Sequence, residues 1–312
     1  MWWQIIIFIN SILILFSQAK QLSNVAANVG ENCRINHQSR SFENTGNLTY
    51  RVKGGANTSI RTWPWMAGVY FVNSEDPNFF KFSGDASIIA EKYLLTVAHV
   101  LMDGKGVLME PQNLAVLVGC ALKNRGFRFD VQNVYIHPEF EITNGQNNDI
   151  GIIELTALLT FSDAIKPIGL PSYLEKFPNY QDRIFTTVGW GYTSENYDDS
   201  SVLKKVTIPI VSEEICHRAA LSADVPFPTI NFICGGDQEG NRPCKGDSGG
   251  PLMTKEKGKI IIIGLVDFFL GDKTVCGTPG TPFYFLRVAP YLKWIYNVVN
   301  PNVTLVLPKT QT

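Results

Sequence analysis

Ser248 lies in the stretch KGDSGGPL, with Gly246 before it and Gly249 and Gly250 after it. A serine hydroxyl is a weak nucleophile at neutral pH. It becomes useful only beside a general base that is itself oriented by a third group. Four histidines are present, His37, His99, His137 and His217, and all precede Ser248. His99 lies at the end of the apolar run LLTVAHV, and Asp149 lies at the start of the run in NNDIGIIEL. A base, a carboxylate and a hydroxyl in the order His, Asp, Ser can carry acyl transfer. His99 would accept the Ser248 Oγ proton and return it to the leaving group, while Asp149 fixes the imidazole tautomer and stabilises its charged form.

Such residues need a rigid frame. Short runs rich in β-branched and aromatic residues recur between turn-formers: WMAGVYF, SIIAEKYLLTV, NLAVLVGC, DIGIIEL, IFTTVGWG, KKVTIPIVS, KIIIIGLV and FYFLRV. Many short strands punctuated by Gly and Pro predict an all-β sandwich or barrel. One helix is expected in VAPYLKWIYNVVN, where Leu292, Ile295 and Val299 recur at helical spacing, Pro290 suits the first turn and Pro301 a stop. It reads as an apolar face packed on the barrel. Residues 20–50 are polar, with little apolar periodicity, and read as a surface segment.

GDSGG also satisfies the G-x-S-x-G pattern of α/β-hydrolases, but that class places its histidine after the serine. No histidine follows Ser248, so the class is excluded. A formal net charge of -1 leaves no basic excess for a nucleic-acid surface. The N-terminal run WWQIIIFINSILILFSQA ends with Ser17 and Ala19 at the spacing of a signal-peptidase site. Its apolar core, from Ile5 to Phe16, is shorter than the roughly 20 residues needed to span a bilayer, so it predicts a cleaved signal peptide and no stable membrane anchor. Six cysteines fit an oxidising compartment. The sequons at Asn47, Asn57 and Asn302 fit a secreted, extracellular glycoprotein.

Taken in order, His99, Asp149 and the GDSGG stretch resemble the chymotrypsin/trypsin family of serine proteases. The resemblance runs from about Arg51 to Asn300 and includes TWPWMAGV, IHPEF, VGWG and PFYFLRVAPYLKWI. It implies two six-stranded antiparallel β-barrels with a C-terminal α-helix, the active cleft between the barrels, and catalysis by His99, Asp149 and Ser248. The backbone N–H groups of Gly246 and Ser248 would form the oxyanion hole, with glycine at 246 because the chain must turn tightly there with its amide exposed. The stretch RVKGG resembles an activation site, although Lys53 stands where a valine-like residue is usual. Cleavage after Arg51 would free the Val52 amine, which the resemblance places beside Asp247. The expected organisation is a signal peptide (1–19), a propeptide (20–51), a peptidase domain (52–300) and a flexible tail (301–312). Glycans on Asn47 and Asn57, flanking the site, would restrict which protease can cleave it.

The cysteines depart from the family. The resemblance pairs Cys216 with Cys234 and Cys244 with Cys276, and the remaining Cys33 and Cys120 are expected to pair and tether the propeptide. Six cysteines permit fifteen connectivities. A bridge common in the family is missing at Val100 and Ser83, and a second near Phe185 and Thr254. No metal site is expected: residues 121–129, ALKNRGFRF, hold no carboxylate for a hard cation. No cofactor is implied either.

The specificity pocket is unusual. Its floor position, six before Ser248, is Arg242; one wall reads DFF, Asp267 to Phe269; another wall position is Phe283. Arg242 argues against cleavage after Lys or Arg. Either it receives an acidic substrate side chain through a bidentate pair, or it pairs internally, with Asp267 as the candidate, and the two phenylalanines leave room for small residues or none. Asp267 is also expected near Asp149, where a second carboxylate raises a pKa. The sequence therefore predicts a secreted, monomeric zymogen of a serine endopeptidase, not trypsin-like in specificity. Its implied partners are a protein or peptide substrate, an activating protease and a protein inhibitor. The rival is a protease-fold binding protein with an obstructed pocket.

Overall fold

The structure, a computed structural model, describes Cys33 and residues 55–73, 76, 79–140, 147–172, 184–192, 200–222, 229–236, 242–270 and 282–301. The expected signal peptide, Arg51 and Val52, Asn47, Asn302, Cys276 and residues 302–312 lie outside them.

Six strands form the first barrel: β2 (Met66–Val72), β3 (Phe80–Ile88), β4 (Tyr93–Thr96), β5 (Leu114–Val118), β6 (Phe127–Ile136) and β7 (Gly151–Leu155). Their order is β2-β3-β4-β7-β6-β5, and β2 closes the ring by pairing with both β3 and β5. The run SIIAEKYLLTV, which reads as one strand, divides between β3 and β4, because Ala90 and Tyr93 exchange turn hydrogen bonds. β6 is harder to read from sequence. Arg128, Asp130 and Gln132 point outward between half-buried Phe127 and Phe129 and buried Val131, the alternation of a strand with one wet face.

The second sheet contains β8 (Ile184–Gly189), β9 (Lys204–Pro209), β10 (Phe232–Gly235), β11 (Pro251–Glu256), β12 (Lys259–Phe269) and β13 (Phe283–Arg287), with a two-residue strand β1 (Ala56–Asn57) on its edge. The order is β1-β9-β8-β11-β12-β13-β10. The fold is chymotrypsin-like, as expected, with the second sheet curled into a half-barrel. Among the described residues, the chain after β9 meets β10 at an isolated bridge, Ile210 with Gly235, flanked by Val211 N–H to Cys234 O at 2.9 Å and Gly236 N–H to Pro209 O at 3.0 Å. β9 ends at Pro209, which has no N–H to continue the ladder.

Two helices are present among the described residues. α1 (Glu213–Ser222) has no strong sequence signal, since it buries only Cys216 and Ala220. It is fixed instead by the Cys216–Cys234 disulfide and by the Tyr284 hydroxyl donating to Cys216 O at 2.9 Å. α2 (Leu292–Val299) buries Leu292 and Ile295 and follows a 3-10 turn, Ala289–Tyr291, so the expected C-terminal helix opens as a tighter coil around Pro290. No helix of the described residues is long and apolar enough to cross a membrane. Cys33 is bonded to Cys120, at the end of β5, which fastens the preceding segment to the first barrel.

Val100 meets both Ser83 and Gly84 on β3. A Cβ built on Gly84 would lie 2.6 Å from Val100 Cγ2 and 2.8 Å from Ser248 O. The valine occupies the space above the glycine, and Ser83 donates its hydroxyl to Val100 O at 2.6 Å. Gly84→Ala should therefore destabilise the protein by about 1–3 kcal/mol through overpacking, read as a lower urea midpoint with an unchanged slope. An unchanged midpoint would mean that the barrels separate without strain.

Candidate active site

The pairing of β4 with β7 sets Thr96 opposite Gly151. Beyond Thr96 the chain enters a 3-10 turn, Ala98–Leu101, that carries His99. Just before Gly151, Asn148 adopts a left-handed φ of 56°, which asparagine tolerates well, and its side chain is tied to Glu139 O and the Tyr291 hydroxyl at 3.0 Å each. This kink turns Asp149 inward, fully buried. Asp149 Oδ1 accepts the backbone N–H of His99 at 2.9 Å, and Oδ2 lies 2.6 Å from His99 Nδ1. The second contact fixes the proton on Nδ1 and leaves Nε2 as the accepting nitrogen.

Ser248 sits on the loop 242–250, which is stitched to both barrels. Asp85 N–H, on β3, donates to Ser248 O at 2.8 Å, and Gly249 N–H donates to Val266 O, on β12, at 2.8 Å. The point beside Gly84 that meets both Val100 and Ser248 O makes the loop a neighbour of the His99 turn. Gly246 has φ 94° and Gly249 φ 82°, conformations that a side chain resists. A Cβ on Gly249 would also strike Asp85 O and Thr96 Oγ1, each at 2.2 Å. Among the described residues nothing accepts the backbone N–H of Gly246 or Ser248. Two free amides therefore flank a partly exposed serine.

A second carboxylate stands beside Asp247. A Cβ on Gly189 would lie 2.2 Å from Asp247 Oδ1 and 2.3 Å from Asp85 Oδ2, so both acids crowd one glycine. Asp247 accepts N–H groups from Gly191 at 2.7 Å and Cys244 at 2.8 Å. Burial pushes its carboxyl up to about 6, although those two amides and the Lys123 ammonium pull the other way. Asp85 is fully buried, and its Oδ1 has no hydrogen-bond partner. Burial, followed by the charge of Asp247, holds it well above the usual carboxylate range, with partial relief from Lys123 and the Trp190 amide. Lys123 lies 4.0 Å over the Phe82 ring and donates to Trp190 O at 3.3 Å. Sequence reasoning missed Asp85. The available signal was a lone acid inside FSGDASIIA, a run otherwise suited to burial.

At the expected specificity pocket, Arg242 and Phe283 are buried. Phe269 and Phe283 pair across β12 and β13, with ring centroids 5.8 Å apart. The internal pairing of Arg242 with Asp267 is not formed: neither oxygen of Asp267 accepts a hydrogen bond. Asp267 turns instead toward Asp149 and His99, and one ligand-type atom from each of the three lies within 4.8 Å of the others. That group could attract a cation in principle, but His99 Nδ1 is already taken by Asp149. Cys244 is disulfide-bonded, and its expected partner, Cys276, lies outside the described residues. Asn57 is exposed on β1 and accepts from Lys204 Nζ at 2.7 Å.

The profile of the trypsin family matches residues 52–295. The chain belongs to the trypsin family. Among trypsin-family relatives, it is 28% identical to the clotting factor G beta subunit of Tachypleus tridentatus over 305 residues, 94% of this chain and 92% of the relative. It is 31% identical to the CLIP domain-containing serine protease B15 of Anopheles gambiae over 264 residues, 81% and 70% of the two chains. It is also 31% identical to the proclotting enzyme of Tachypleus tridentatus over 256 residues, 79% and 66%.

The buried acids bear on stability. With its folded pKa near 6 against an ordinary 3.8, Asp247 keeps a proton that the unfolded chain releases. Its contribution is complete below the unfolded value and is lost as pH rises through the folded one, by about 3 kcal/mol. Uncleaved protein should thus lose urea resistance between pH 4 and 7, and Asp247→Asn should flatten that loss. Parallel pH curves for the two proteins would contradict it.

Proposed function

We propose that this chain is a secreted serine-protease zymogen that becomes an endopeptidase on cleavage after Arg51. The observation that carries this reading is the buried Asp149 carboxylate gripping His99 through both Nδ1 and the backbone N–H, at 2.6 and 2.9 Å. In this reading Ser248 Oγ attacks the scissile carbonyl, His99 Nε2 takes its proton and later gives it to the leaving amine, and Asp149 stabilises the imidazolium. The unbonded amides of Gly246 and Ser248 hold the oxyanion.

Activation follows from the paired acids. Asp85 and Asp247 make a buried pair of acids, and the new Val52 ammonium is a cation suited to it. A buried charge demands such a partner. The clotting names of two relatives favour a place in a proteolytic cascade, with another protease as activator and a protein as substrate. The Cys33–Cys120 bond would keep the propeptide attached after cleavage. Glycans on Asn47, Asn57 and Asn302 belong to the same secreted reading.

Cleavage after Lys or Arg is disfavoured by buried Arg242 in the floor, and the Phe269–Phe283 contact favours small residues at the primary position. The same contact supports a second reading, a protease-fold binding protein whose pocket admits nothing. A fluorophosphonate probe separates the two. Arg51-cleaved protein should be labelled at Ser248, Ser248→Ala should abolish labelling and lower turnover by roughly 10⁶-fold, and Asp85→Asn should reduce labelling while leaving the cleavage rate unchanged. Absence of labelling in fully cleaved, folded protein would favour the binding protein.

A further inference from the structure

Asp267 occupies an unusual position for a carboxylate. It lies on β12, is 4% exposed, and neither of its oxygens accepts a hydrogen bond. Glu154, also buried, has three donors: Lys92 at 3.0 Å, Asn133 at 2.8 Å and Tyr135 at 2.8 Å. An ionised carboxylate without donors is not tolerated in such surroundings, whereas a protonated one needs only an acceptor. Asp149 supplies that acceptor, for a carboxylate oxygen of each acid lies within 4.8 Å of the other. The groups facing Asp267 are Asp149 at the start of β7, His99 on its 3-10 turn and Tyr291 ahead of α2.

We propose that Asp267 is a positioning residue that keeps its proton at neutral pH and donates it to Asp149, so that the two acids share one negative charge and Asp149 stays aimed at His99. A carboxylic acid kept neutral by an apolar site is an effective hydrogen-bond donor. Burial, then the charge of Asp149, raises the Asp267 carboxyl well above its ordinary range. Tyr291 is pushed upward by burial and then by the Asp267 and Asp149 charges, so its phenol stays neutral and adds no further negative charge. The chemistry that follows is specific. With the proton in place, Asp149 receives a donor from each side, His99 and Asp267, and cannot swing away from the imidazole. With the proton lost, two negative charges would face each other with no donor between them, and Asp149 would be repelled from its place against the imidazole.

This inference rests on the protease reading for its consequence and not for its geometry, and the test separates the two. Infrared difference spectra of the full chain at pH 7, wild type minus Asp267→Asn, should contain the C=O stretch of a protonated carboxyl, and that band should disappear at high pH. In cleaved protein, Asp267→Asn retains an N–H donor to Asp149 and should keep kcat within about threefold of wild type, with activity that extends further into the alkaline range. Asp267→Leu loses the donor and should lower kcat by roughly 10- to 100-fold with KM little changed. Absence of the band, or equal losses in the Asn and Leu variants, would overturn the shared proton. The band with an inactive wild type would uphold it and reject the protease reading.

Discussion

The antiparallel contact between β4 and β7 is the constraint on which the site depends. It holds Thr96 against Gly151, and the two chain segments that leave this contact carry His99 and Asp149. Neither residue could find the other through local structure, since fifty positions separate them. The kink at Asn148 converts a strand end into an inward-facing carboxylate. The 3-10 turn then presents both the backbone N–H and the ring of His99 to that one carboxylate. The loop bearing Ser248 is bonded to β3 on one side and to β12 on the other, so the serine is located by both barrels at once.

The interface between the barrels is rich in buried acid. Asp85, Asp149, Asp247 and Asp267 are all withdrawn from water. They differ in what they receive. Asp149 has two donors from His99, and Asp247 has two backbone amides. Asp85 has one long contact from Trp190 N–H at 3.4 Å, and Asp267 has none. The acids form two pairs, one of each kind: a well-supported carboxylate with an under-supported neighbour. Buried charge is expensive unless paired or neutralised, so each pair must hold a proton or a cation between its members. One pair lies at the loop before Ser248 and the other behind His99. The loop that shapes the amides and the base that moves the proton are thus governed by the same physics.

Much of this was legible in the sequence. The strand runs containing β2, β5, β7, β8, β9, β12 and β13 were visible because their β-branched and aromatic content is dense and bounded by turn-formers. The order of His99, Asp149 and Ser248 was visible because chemistry restricts it. β6 was hidden because a strand with one wet face carries charges that read as loop, and α1 was hidden because a disulfide and Tyr284 hold it, not a continuous apolar stripe. The incomplete closure of the second barrel depends on where β9 stops, a matter of one proline and one short strand. Asp85 escaped notice because a single acid in an apolar run acquires meaning only when the fold brings Asp247 beside it. Asp267 was expected near both Asp149 and Arg242, and the fold settled that it faces the acid.

Gly84 against Val100 gives this molecule an unusual tolerance. Here a missing side chain on one strand receives a branched one from the turn next to His99. The fit is steric and carries no redox chemistry. Thiols that sever Cys33–Cys120 or Cys216–Cys234 have nothing to attack at the His99 turn. The base and its carboxylate are thereby insulated from the reducing potential of the surroundings, while the attachment of the N-terminal segment remains exposed to it.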